Sequence, residues 1–164
     1  MLLITIIQKN SCTFAPCYNS DIGDISMTIA ELAEKTAHIT HTYQVTPEVY
    51  NYFQLCSKDY NPLHTDEEYA KSKGYKSVVI YGNILNAFVS HFVGMLLPTN
   101  EVMIQLQDIN FRKPVFLNDE IVLDASVDSV SEVVNIVDYK LRFNRIVDGK
   151  PELVARGHVQ IGLI

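Results

Sequence analysis

Between Gly82 and Pro98 the apolar residues Ile84, Leu85, Phe88, Val89, Phe92, Val93, Leu96 and Leu97 recur at i, i+3 and i+4 without a miss. That period is one face of an α-helix. About fifteen residues of helix span ~22 Å at 1.5 Å per residue. The stripe is wide, so the helix must bury itself against another element. Everything after Pro98 reads as strands. Ile121, Leu123, Ala125 and Val127 alternate with Val122, Asp124, Ser126 and Asp128, and Val137, Tyr139, Leu141 and Phe143 share a face over 133–146. Segments 102–113 and 151–161 complete an expected antiparallel meander, with Asp148-Gly149 as a two-residue hairpin turn between its last two strands. A sheet with one apolar face needs a cover, and the 82–97 helix is the evident one.

This layout resembles the hot-dog architecture, an α+β fold in which a curved antiparallel sheet wraps one long central helix. Ahead of the helix, His41 to Val45 reads as a strand. Thr46-Pro47-Glu48 then starts a helix, with Thr as N-cap and Pro at the first helical position. It carries Val49, Tyr50, Phe53 and Cys56 at helical spacing and should end near Ser57 or Lys58. The stretch Ser57 to His64 is non-repetitive, and Pro62 disfavours helix at Asn61 before it. Thr65 with Glu68 three positions on reads as a capping box for a short helix to about Lys73, stopped by Gly74. Ser77 to Tyr81 is β-like. Residues 1–26 fit no element well and are expected to be an N-terminal extension of unclear role, with 27–164 as a single domain.

Composition narrows the function classes. A net charge of −6 argues against a nucleic-acid footprint, which wants a basic face. The cysteines, Cys12, Cys17 and Cys56, are odd in number and form no Cys-x-x-Cys pair, so neither a disulfide framework nor a zinc site is expected. A reducing, cytoplasmic setting fits, with Cys56 expected as a small buried residue of its helix. Met1 to Ile7 is apolar but far short of the ~20 residues of a membrane span. It also lacks the basic start of a signal peptide.

The chemistry-bearing stretch is Asp59-Tyr60-Asn61-Pro62-Leu63-His64. A carboxylate and an imidazole stand five positions apart on a loop that Pro62 stiffens. Loops of this kind carry function because a scaffold aims their side chains. The pair suits general acid–base work on a bound water. The plain alternative is that Asp59 caps a turn and His64 is a surface residue ahead of a helix.

The run Ser57-Lys58-Asp59-Tyr60-Asn61-Pro62-Leu63-His64-Thr65-Asp66, followed by Tyr69-Ala70, resembles the hydratase signature of the MaoC-like family of (R)-specific enoyl-thioester hydratases and 3-hydroxyacyl-thioester dehydratases. Ile109-Asn110-Phe111-Arg112-Lys113-Pro114-Val115 resembles the family's segment after the central helix, and Tyr81-Gly82 stands where the family has His-Gly. The resemblance implies a lyase in which Asp59 and His64 activate water for addition to a trans-2-enoyl thioester, or for the reverse dehydration. It further implies that the backbone at Gly82, opening the central helix, holds the enolate oxygen. Asn61, Tyr81 and Asn83 are the implied substrate-side residues. Asn61 orients the loop, or is only a turn residue. Tyr81 replaces the usual His, and Asn83 makes the wall more polar. The resemblance implies no metal and no bound cofactor. It further implies coenzyme A or acyl carrier protein as the thioester carrier, and a homodimer that would protect a sheet edge is expected.

Three rivals stand beside this: a hot-dog thioesterase, a degenerate acyl-thioester-binding subunit, and a chain that works only beside a different partner chain. His91 reads as structural, and His38, His41 and His158 have no partners at metal-ligand spacing. Arg112, Lys113, Arg142 and Arg145 could meet the phosphates of the carrier, or be merely solvated.

Overall fold

The computed structural model describes residues 27–164. The extension expected over 1–26 lies outside the described residues, as do Cys12 and Cys17. The described chain opens on α1 (Ile29–Lys35), β1 (His38–Gln44), α2 (Pro47–Ser57), the one-turn α3 (Pro62–Thr65) and α4 (Glu67–Ser72). The central helix α5 (Ile84–His91) runs on through a π-helical turn at Phe92–Leu96. Then come β2 (Val102–Phe111), β3 (Glu120–Ser131), β4 (Ile136–Val147) and β5 (Lys150–Leu163).

The strands form one open antiparallel sheet in the order β1-β3-β4-β5-β2. The expected meander is therefore corrected at its first member. β3, β4 and β5 follow one another, but β2 pairs with β5, Ile109 opposite Gly157, and lies at an edge. β1 takes the other edge, Ile39 opposite Ala125. Asp148 and Gly149 both take positive φ, 50° and 72°, the conformation that a two-residue hairpin loop demands.

The core is where the two periodicities meet. Ile84, Leu85, Phe88, Val89, Phe92, Val93 and Leu97 are buried, and so are Ile121, Leu123, Ala125, Val137, Tyr139, Leu141 and Phe143. The expected stripe and the expected strand faces cover each other. The helix differs from expectation in its last turns, which widen to π while still burying Phe92 and Val93. Tyr139 is fully buried yet satisfied: its hydroxyl shares a 2.6 Å hydrogen bond with Thr36, and its ring meets Phe92 edge-on at 5.3 Å.

Three local readings change. α1, an element outside those expected, is capped by Thr28, which with Glu31 forms a full capping box. At the other expected box, Asp66 caps α4 rather than Thr65, accepting from the Tyr69 N–H at 3.0 Å. Thr65 is already spent inside α3, where its hydroxyl donates back to the Asn61 carbonyl at 3.2 Å. Cys56 is exposed rather than buried, because α2 turns Tyr50 inward and leaves Cys56 on its open side.

Candidate active site

The site is built on the segment between α2 and α5. Lys58 ends α2 in a left-handed conformation (φ 54°), which turns the chain back on itself. Three short bonds then shape the loop. The Asp59 N–H reaches Ser57 Oγ at 3.3 Å, the Asn61 N–H reaches Asp59 Oδ1 at 3.0 Å, and the Leu63 N–H reaches Asn61 Oδ1 at 2.9 Å. Asn61 is thus the N-cap of α3, with Pro62 at its first position. Its Oδ1 is engaged by the backbone, the geometry of a loop-orienting residue.

His64 follows within that turn. Its Nδ1 lies 2.6 Å from the carbonyl oxygen of Val79. A carbonyl can only accept, so Nδ1 carries the proton, and Nε2 of the neutral ring is left with its lone pair. Nε2 faces Asp59 Oδ2 at 4.0 Å. That is beyond a direct hydrogen bond and open to a shared water or substrate atom. The His64 side chain is 16% exposed and that of Asp59 is 47% exposed, so the pair opens to solvent from the carboxylate side.

Val79 is itself fixed. Its N–H donates to the Leu63 carbonyl at 3.1 Å, and it bridges to Phe116. The Ile80 N–H donates to Val115 at 2.9 Å. That partner segment is anchored by Arg145, whose guanidinium donates to the Pro114 carbonyl at 3.1 Å and pairs with Asp119 at 3.3 Å and with Glu152. Arg145 is thereby engaged inside the protein, and Lys113 pairs with Glu152 at 2.7 Å. Of the four basic residues considered for carrier phosphates, Arg112 and Arg142 form no ion pair among the described residues.

Tyr81 is 3% exposed. Its hydroxyl donates to the Asp59 carbonyl at 2.8 Å and accepts from Gln54 Nε2 at 3.1 Å. Its ring lies 4.3 Å from that of His64 and 5.0 Å from that of Tyr50. The Tyr50 hydroxyl in turn donates to the His64 carbonyl. Burial pushes that hydroxyl well above the ordinary tyrosine value, with Tyr81 and Asp59 adding to it, so it remains a donor. Tyr81 thus borders the cleft beside Asp59 and is at the same time packed into its wall. It props the imidazole and ties down the carboxylate's backbone.

Gly82 and Asn83 precede α5, and neither of their N–H groups has an acceptor among the described residues. Unsatisfied N–H groups at a helix start, on the positive end of its dipole, suit an oxyanion. The Asn83 side chain is exposed and accepts from Asn86 at 2.7 Å. A Cβ at Gly82 would lie 3.1 Å from the Phe111 ring, so glycine is also what lets that ring approach.

Two clefts meet at His64, Gly82 and Phe111. The smaller, about 260 Å³, holds Asp59, Ser57, Tyr81 and Asn83. The larger, about 360 Å³, has an apolar wall of Val79, Ile80, Leu85 and Val115 and reaches Arg112 and Lys113. Polar chemistry on one side and an apolar trough on the other fit a small acyl ligand. Of the expected residues, Asp59, His64, Gly82, Tyr81 and Asn83 come together on this site. Gln54, Tyr50, Val79 and Phe111 join them. Phe111 belonged to a recognised motif, but nothing in the sequence marks Gln54 or a backbone carbonyl. His91 instead bonds Tyr43, Nδ1 to Oη at 2.9 Å, on the far part of α5. No helix among the described residues is long and apolar enough to cross a membrane.

Comparison with known proteins places the fold and the family. Residues 29–149 match the family model described as a MaoC like domain. The chain is 30% identical over 80 residues to the (R)-specific enoyl-CoA hydratase of Aeromonas caviae, covering 49% of this chain and 60% of that one. It is 32% identical over 65 residues to the mitochondrial 3-hydroxyacyl-[acyl-carrier-protein] dehydratase of Arabidopsis thaliana, covering 40% of this chain and 38% of that one. The chain therefore spans at most about 60% of the length of these two curated relatives. Among solved structures, the (R)-hydratase of A. caviae superposes with a TM-score of 0.70 at 23% identity, over 77% of this chain and 94% of that one. The open antiparallel sheet on a central helix is the hot-dog fold.

Proposed function

The chain belongs to the MaoC-like domain family, and on that premise we propose that it is a lyase that adds water across the double bond of trans-2-enoyl thioesters with (R) specificity, or runs the reverse dehydration. The observation that carries this is the 4.0 Å gap between His64 Nε2 and Asp59 Oδ2 beside the unpartnered N–H groups of Gly82 and Asn83.

In the proposed reaction a water sits between the carboxylate and Nε2. Its O–H bond breaks, the proton passes to the pair, and its oxygen bonds to Cβ of the substrate. The π electrons move to the thioester oxygen, which rests on the Gly82 and Asn83 N–H groups. Oriented donors of this kind at a developing oxyanion are worth about 10²–10³ in turnover. Cα then takes the proton from the pair, the carbonyl re-forms, and the enzyme returns to its starting state. Nothing in the scheme calls for a metal or a bound cofactor. The thioester carrier, the cytoplasmic setting and the homodimer belong to this proposal. For the dimer, β2 presents an unpaired edge with exposed Met103 and Leu106.

The test is loss of enoyl-thioester absorbance when the protein meets crotonyl-CoA, with Asp59→Asn and His64→Ala beside it. Turnover by the wild type and a fall of about 10²-fold or more in each variant is expected. A variant that kept wild-type turnover would remove that residue from the mechanism.

A further inference from the structure

On the face of the sheet turned away from α5, Arg142 of β4 and Arg156 of β5 are direct cross-strand partners, both exposed. Lys140 and His158 are the next pair on that face, and Asn110 of β2 flanks Arg156. Like charges placed directly opposite destabilise a sheet. No acid forms an ion pair with either arginine among the described residues. Asp124, in register with Arg142, keeps its contact with His38 at 3.2 Å and stands beside the pair as a negative charge. Asp128 takes Lys140, and Asp108 meets His158 at 3.5 Å. Neither Arg142, Arg156 nor Arg112 forms an ion pair among the described residues. Together they line a depression of about 440 Å³. Arg112 also lines the cleft that holds His64 and Gly82, so the depression adjoins the reaction site.

We propose that Arg112, Arg142 and Arg156 seat the phosphate groups at the nucleoside end of a coenzyme A thioester, an inference that rests on the thioester reading above. Guanidinium forks match phosphate oxygens two at a time, and charged bonds of this type are the strong ones. The depression has the volume of a small-ligand site. The surrounding carboxylates Asp108, Asp124 and Asp128 also select the occupant. A broad acidic protein face would meet them head-on, whereas a compact phosphate passes between them to the arginines. The geometry therefore favours coenzyme A over a carrier protein.

The test uses the full chain and the double variant Arg142→Ala/Arg156→Ala. Binding of free coenzyme A is measured by calorimetry at low and moderate salt. The ratio of kcat/KM on crotonyl-CoA to that on crotonyl-pantetheine, which lacks the nucleoside phosphates, is measured beside it. Coenzyme A should bind the double variant at least tenfold more weakly, with a shallower salt dependence, and the kcat/KM ratio should fall at least tenfold. Asp124→Asn, which removes a neighbouring negative charge, should bind coenzyme A more tightly than the wild type, and it decides the matter alone if the double variant fails to fold. Coenzyme A affinity in the double variant within twofold of wild type overturns the proposal. So does a wild type that binds no coenzyme A, or a defect confined to carrier-protein thioesters. Failure of the hydratase reading shows separately, as absence of turnover on every thioester while coenzyme A binding still reports on the arginines.

Discussion

Tyr81→Phe removes one oxygen from the wall of the site and nothing else. That oxygen holds the Asp59 carbonyl at 2.8 Å and accepts from Gln54 at 3.1 Å, in a residue that is 3% exposed. Asp59 stands in an exposed loop, so water can replace the bond to its carbonyl, whereas Gln54 is half-buried and must re-aim or stay unpaired. A lost hydrogen bond that leaves a buried partner unsatisfied costs about 1–3 kcal/mol, and the exposed partner places this one near about 1–2 kcal/mol. At roughly 2–4 °C per kcal/mol for a chain of this size, the melting temperature should fall by about 2–8 °C. The ring stays, so its packing on His64 stays. The released Asp59 backbone should instead loosen the carboxylate, lowering kcat by about tenfold with KM little changed, because small misplacements of a catalytic group are costly. Thermal melting and steady-state kinetics on crotonyl-CoA measure both. An unchanged melting temperature and kcat with a raised KM would refute the reasoning, since that pattern belongs to a phenol that touches substrate.

Two further outcomes are expected. Gly82→Ala places a methyl 3.1 Å from the Phe111 ring. The ring is 52% exposed and can swing, so the melting temperature should shift by no more than the few degrees that about 1 kcal/mol produces, while turnover drops as the ring is displaced across both clefts. Loss of fold would contradict this. His91 titrates below the ordinary histidine value, held down by burial first and by His41 next. The folded state then binds its proton less readily than the unfolded chain, so this contribution is full above the unfolded value near 6.5 and is lost as pH falls through the lower folded value. In His91→Gln, melting temperature against pH should flatten in that window. A profile as steep as the wild type's would show that His91 is not responsible.

What the residues announced in advance was local. The 82–97 stripe and the alternation in β3 and β4 state which atoms must leave water, and burial followed them. Asp148-Gly149 specified its turn because only residues at ease with positive φ fit there. What the sequence did not announce was competitive or non-local. Thr65 and Asp66 both can cap a helix, and the turn started by Pro62 decided between them by using Thr65 first. β2 joins β5 rather than β3, a pairing between segments distant in the chain that no local pattern encodes. At the site, Asp59 and His64 stood out by type and spacing. The depth at which Tyr81 sits was not legible, because burial of a tyrosine is set by its neighbours, here Tyr50 and Phe53. Gln54 gave no signal, since nothing in its surroundings along the chain distinguishes it from an ordinary helix residue.

The contact between His64 Nδ1 and the Val79 carbonyl carries a consequence for how this site tolerates change. The group that chooses the tautomer is part of the peptide chain, and every amino acid brings it. Side-chain exchange at position 79 can therefore vary widely without changing which ring nitrogen faces the carbonyl. Even proline would keep the acceptor, though it would cut the bond from the Val79 N–H to Leu63. The tautomer is inherited through the path of the backbone rather than through residue identity. Chains that have drifted far apart in letters can still hold the same nitrogen ready, provided the path at this point is kept.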